Sequence, residues 1–211
     1  MNYLTRLLAA TLFGSLLSTS AFSQHASFAR VRVADGPTLE FPAHWVLMDE
    51  ANVQNRVHSG QAIADAAGID LSGFQKRSRV IIESIPRPNA AQIRASIVIP
   101  QEYTQQDLSK ATPEELRGLK KMYETTFRKA SASMTVKLHK MGEVRIDKIA
   151  GHIALVIPYI TYSEESAEKW QFEQIKIPFE NKLLSMTVSY RVGEHNTMKP
   201  ILERVKQSLK F

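Results

Sequence analysis

The 211-residue sequence has no cysteine. Disulfides, thiolate metal sites and a lipoprotein anchor are therefore excluded, because each needs a thiol. Neither a P-loop nor a G-x-G-x-x-G turn occurs, so the usual backbone cradles for nucleotide phosphates are missing. There is no G-x-S-x-G elbow to expose a nucleophilic serine. Internal repeats and low-complexity linkers are also absent. Lys and Arg number 27 against 21 Asp and Glu, a net charge of +6. These charges are dispersed rather than run together, which reads as a solvated surface and argues against a nucleic-acid partner.

The N-terminus carries an export pattern. Arg6 is followed by Leu7 to Leu17, eleven uncharged residues, and then by Ser18, Thr19 and Ser20. A membrane-spanning helix needs roughly 20 apolar residues, whereas a signal-peptide core is shorter. Ala21-Phe22-Ser23 supplies the small residues that a signal peptidase accepts, which places the cut after Ser23. The expected organisation is a signal peptide over 1–23 and a single α+β domain over 24–211, periplasmic and without a lipid anchor or transmembrane helix. Losing Arg6 leaves a net charge of about +5, compatible with peripheral membrane contact at most. About 188 residues suffice to bury a core without staples.

Hydrophobic periodicity lays out the elements. Phe28 to Val33 and Thr38 to Phe41 read as strands around Asp35-Gly36-Pro37, where Gly and Pro supply the turn angles. Asp49 to Ala67 has helical spacing. Arg79 to Ile85 and Ile93 to Ile99 read as strands, with Ile93, Ala95, Ile97 and Ile99 sharing one face. Thr112-Pro113-Glu114-Glu115 has the form of a capping box with proline in the first turn. The helix it opens runs to about Ala130 and presents Leu116, Leu119, Tyr123, Phe127 and Ala130 as a stripe.

From Val136 the chain reads as an antiparallel meander. Its strands are Val144 to Ile149, His152 to Tyr162, Trp170 to Phe179 and Leu183 to Val192. Leu184, Met186, Val188, Tyr190 and Val192 face one way, with Ser185, Thr187, Ser189 and Arg191 on a wet face. Asn196 is the expected cap of a terminal helix striped by Met198, Ile201, Leu202, Val205 and Leu209.

Three places carry a family likeness: Phe41-Pro42-Ala43-His44-Trp45, the strand pair around Ile149 to Leu155 with the later Trp170, and the ending Leu184 to Phe211. On these the chain, from about Val31 onward, resembles the PsbP/Mog-type family of α+β sandwich proteins, while Asp49 to Lys76 departs from its pattern. The resemblance implies a central antiparallel sheet flanked by helices. It also implies proteins that mostly bind other proteins or assist assembly, with no shared catalytic residues to carry over.

Candidate sites are few. His25, His44, His58, His139, His152 and His195 show no zinc-type spacing, so no metal site is expected and His195 reads as structural. Glu164, Glu165 and Glu168 lie with serines between two strands, as a solvated turn does. Trp45, Trp170, Phe172, Tyr159, Tyr162 and Tyr190 fit core packing first and binding anchors second. Phe74 and Arg87, in an apolar and basic edge that includes Leu71 and Ile85-Pro86-Arg87-Pro88, mark a possible docking surface with Trp45 and Trp170. The expectation is a non-enzymatic protein with no cofactor that binds an unidentified protein partner in the envelope of a Gram-negative cell. The alternatives are a small-molecule or lipid carrier with a cleft between sheet and helices, and a hydrolase with scattered residues.

Overall fold

The structure, a computed structural model, describes residues 27–49, 51–54, 79–84, 90–132 and 134–211. The signal peptide, most of the helix expected over Asp49 to Ala67, and the Phe74 and Arg87 edge lie outside the described residues. Of that helix residues 51–54 are described, and Asp49 caps it: the Asn52 N–H donates to Asp49 Oδ1 at 2.8 Å.

The strands are β1 (Phe28–Arg32), β2 (Thr38–Pro42), β3 (Val46–Leu47), β4 (Arg79–Glu83), β5 (Ala91–Val98), β6 (Val136–Met141), β7 (Arg145–Ile149), β8 (His152–Ser163), β9 (Lys169–Phe179) and β10 (Lys182–Arg191). Besides the helical residues 51–54, the described residues include helices α1 (Gln105–Ser109), α2 (Pro113–Ala130) and α3 (His195–Gln207). β1 and β2 form a separate hairpin. The other eight strands make one antiparallel sheet in the order β3-β4-β5-β10-β9-β8-β6. β7 and β6 share β8 end to end, so the meander is β7 to β10, and β6 pairs outside its order with residues Tyr159 to Ser163.

Each face of the sheet has its own core, because strand residues alternate between them. One face buries Ile93, Ala95, Ile175, Ile177, Leu184 and Met186 under α3 and the β1–β2 hairpin. The α3 stripe closes it as the spacing predicts, with Leu202, Val205 and Leu209 buried and Met198 and Ile201 packed at the margin. Arg204 lies 3.6 Å over the Phe28 ring, and the Glu40 N–H donates to Ser208 Oγ at 2.8 Å, tying the hairpin to α3. On the opposite face Leu138, Met141, Leu155 and Ile157 pack under α1 and α2. The α2 stripe of Leu116, Leu119, Tyr123 and Phe127 covers this second core while staying half-buried itself.

Local chemistry accounts for the helix starts. Both halves of the Thr112–Glu115 capping box are present, and the short α1 repeats the device with Thr104 and Asp107.

Several expectations are corrected. β10 has no wet face along its length: Leu183 and Ser189, on the side away from Leu184, are buried because the sheet is covered on both sides. β5 stops at Val98, before Pro100, leaving Ile99 59% exposed instead of in line with Ile97. Val192 belongs to a 3₁₀ turn, Val192–Glu194, that feeds α3. This turn also explains why Asn196 is not a cap. The backbone is already coiling when it reaches His195, so the cap position falls on Glu194, which makes no side-chain capping bond, and Asn196 lies inside the first turn.

In the β1–β2 turn the left-handed residue is Ala34, at φ 51°. Gly36 is needed instead for space, since a Cβ there would lie 2.5 Å from Ile97 Cδ1.

Candidate functional site

β9 and β10 run in a register that sets Gln171 opposite Tyr190 and Glu173 opposite Val188. These four share the face covered by α3. His195, Lys199, Glu203 and Lys206 recur along α3 at three- and four-residue steps, so they descend the helix side that looks toward the same strands. Helix and sheet do not close fully, and a cleft of about 220 Å³ remains between them with Val188 and Leu202 in its walls.

The deep end of the cleft is an ion network. Lys206 Nζ donates to Glu173 Oε2 and to Glu203 Oε1, both at 2.7 Å. Arg145 Nη2 reaches the other Glu173 oxygen at 2.9 Å. The Lys206 side chain is 6% exposed and that of Glu173 19%, so the pair works in a weakly hydrated setting where charge-assisted bonds are strong. Burial pushes the Glu173 pKa up, but the bonds from Lys206 and Arg145 outweigh it and hold the carboxyl below its ordinary value.

At the mouth, the Tyr190 hydroxyl sits 2.9 Å from His195 Nδ1. Burial, reinforced by the charges of Glu173 and Glu203, pushes the Tyr190 phenol above its ordinary value, so the hydroxyl stays protonated. Lys199 is exposed and has no ion-pair partner among the described residues.

A second feature lies on the other face of the same strands. Tyr159 stacks on Phe172 with ring centroids 4.9 Å apart and planes parallel, Phe127 packs on Tyr159 at 5.1 Å, and Trp170 continues the row 6.4 Å from Phe172. Cross-strand pairing of Tyr159 with Phe172 and of Thr161 with Trp170 creates this strip. The Arg191 guanidinium stands 5.8 Å over Trp170 and pairs with Glu168 at 3.1 Å. Burial pushes the Tyr159 hydroxyl up to about 12, with Arg94 opposing the shift.

The candidate residues thus separate. Trp45 is 5% exposed and part of the core under α3, so it takes the packing role. Trp170 is half-buried in the aromatic strip. Glu164 and Glu168 pair with Lys137 and Arg191 at the β8–β9 turn, as carboxylates of a solvated turn do. His152 packs on Phe211 and His139 meets Tyr162 edge-on, and among the described residues no three His, Asp or Glu side chains converge as metal ligands.

The ion network was missed in the sequence although two signals point to it. Glu173 holds a position in phase with Ile175 and Ile177, and Lys206 interrupts the apolar stripe next to Val205. A carboxylate and an ammonium at core-facing positions call for each other.

No protein-family model matches the chain, and no curated protein does. Among solved structures, the cyanobacterial PsbP (CyanoP) of Synechocystis sp. PCC 6803 superposes with a TM-score of 0.56 at 14% identity, over 92% of this chain and 98% of that one. LpqN of Mycobacterium tuberculosis, described as involved in cell envelope biogenesis, superposes more loosely, with a TM-score of 0.43 at 13% identity over 88% of this chain and 91% of its own. The antiparallel sheet with helices on its two faces, matched to CyanoP along nearly its whole length, is a PsbP-like fold.

Proposed function

We propose that this chain is an exported, non-enzymatic protein of the cell envelope, periplasmic in location, that works by binding another protein. The aromatic strip of Trp170, Phe172 and Tyr159 carries the reading. Trp and Tyr offer large rigid contact area, and such residues dominate the energetics of protein interfaces. Here they form a half-buried row bordered by Arg191 and Arg94. Phe74 and Arg87 belong to the proposed docking surface on sequence grounds. No helix among the described residues is long and apolar enough to cross a membrane, which is compatible with peripheral contact.

The test is crosslinking in intact cells followed by mass spectrometry, comparing wild type with Trp170→Ala. Loss of a hot-spot aromatic costs about 2 kcal/mol or more of binding, so one adduct should fall at least tenfold. An unchanged set of adducts from a folded Trp170→Ala protein refutes the role of the strip. The same samples report processing: the mature chain should begin at Gln24, and an intact chain in the cytosol refutes export.

A further inference from the structure

The geometry points to the cleft between α3 and strands β9 and β10 as a binding site for a small organic monoanion, a carboxylate on an apolar body of about one ring. This site is separate from the aromatic strip, because Gln171 and Glu173 face α3 whereas Trp170 and Phe172 face away from it.

Size sets the first limit. The cleft holds about 220 Å³, and a dry protein cavity of about 150 Å³ accommodates benzene. One ring or a short alkyl chain therefore fits, with a small head group at the open end. Val188 and Leu202 supply apolar wall for that body.

Charge sets the second limit. Both Glu173 oxygens are taken, by Lys206 and Arg145, and Lys206 also holds Glu203. Arg145 is shared between Glu173 and Asp147, so Lys206 and Arg145 face three carboxylates, Glu173, Glu203 and Asp147, and the lining cation with no ion-pair partner among the described residues is Lys199. A single carboxylate on the ligand can pair with Lys199. A second would meet Glu173 and Glu203, and a cation would meet Lys199.

The third feature is a positioned ring. The Tyr190 hydroxyl and His195 Nδ1 share a hydrogen bond of 2.9 Å, which holds the imidazole in place and leaves its Nε2 edge for a ligand. His195 and Lys199 are one helical turn apart on α3, so the imidazole edge and the Lys199 ammonium form the polar end of the cleft. The start of α3 adds the positive end of its dipole there.

The experiment titrates the purified full-length exported chain with phenylacetate and hexanoate, using phenylacetamide and phenethylamine as neutral and cationic counterparts of the aromatic probe, and follows binding by NMR. Saturable millimolar-range binding of at least one carboxylate is expected, with the amide at least ~5-fold weaker and the amine weaker still. Lys199→Gln should remove that ~5-fold preference while leaving amide binding unchanged, and Lys199→Arg should keep it. Lys199 is exposed, so neither variant endangers the fold. Equal binding of phenylacetate and phenylacetamide, a preference that survives in Lys199→Gln, or failure of both carboxylates to saturate overturns the assignment. None of these outcomes bears on partner capture by Trp170.

Discussion

Replacing Lys206 by Met removes the ammonium that clamps α3 to the sheet while keeping the apolar stem. Glu173, 19% exposed at its side chain, then retains only Arg145. Removing one partner of a buried ion pair costs about 3–5 kcal/mol. Because Arg145 remains, and is itself 41% exposed, the loss should lie at the low end, about 3 kcal/mol. For a chain of this size that corresponds to a melting temperature lower by about 6–12 °C. Urea unfolding followed by tryptophan fluorescence measures it, with buried Trp45 as a reporter.

The effect must depend on pH in one direction. The folded-state pKa of Glu173 is depressed below 4.5, so the pair's contribution is complete above 4.5 and disappears as pH falls through the lower folded value. The gap between wild type and Lys206→Met should be flat from neutrality to about pH 5 and narrow below pH 4.5. Replacing Glu173 by Leu in the same chain should recover a large part of the loss, since no charge is then left alone in the interior. A cost under about 1 kcal/mol, or a gap that stays constant into acid, refutes the clamp.

Three further substitutions probe the fold. Gly36→Val sets a branched side chain where a Cβ alone would lie 2.5 Å from Ile97 Cδ1, and should cost about 1–3 kcal/mol in urea unfolding. Ala150→Gly relieves a left-handed residue at φ 48° in the β7–β8 turn and should raise stability by about 0.5–1 kcal/mol, seen as a higher melting temperature. Thr112→Ala removes the side chain that accepts from the Glu115 N–H and should cost about 1 kcal/mol by the same assay.

Much of the fold was legible where one residue type and its spacing leave a single physical solution. Thr112-Pro113-Glu114-Glu115 satisfies the free N–H groups at a helix start by itself, and the structure begins α2 there. The stripe ending at Leu209 can bury its apolar side only against a sheet, and it does so. β6 was less visible because Val136 to Met141 mixes exposed and buried residues around a bulge near His139, which blurs the two-residue period. The short α1 escaped because one turn is too brief to show a helical repeat.

Local sequence determined the helix start at Thr112, the alternating strands and the apolar side of α3, since these depend on neighbours within a few residues. Tertiary structure decided the rest. Which strands meet, β10 with β5 above all, is a matter of chain closure over nearly a hundred residues. Whether Trp45 or Trp170 stays near the surface depends on what α3 and α2 cover. The meeting of Lys206, Glu173 and Arg145 requires a helix laid over two strands, because no spacing along the chain places their charges within hydrogen-bond reach.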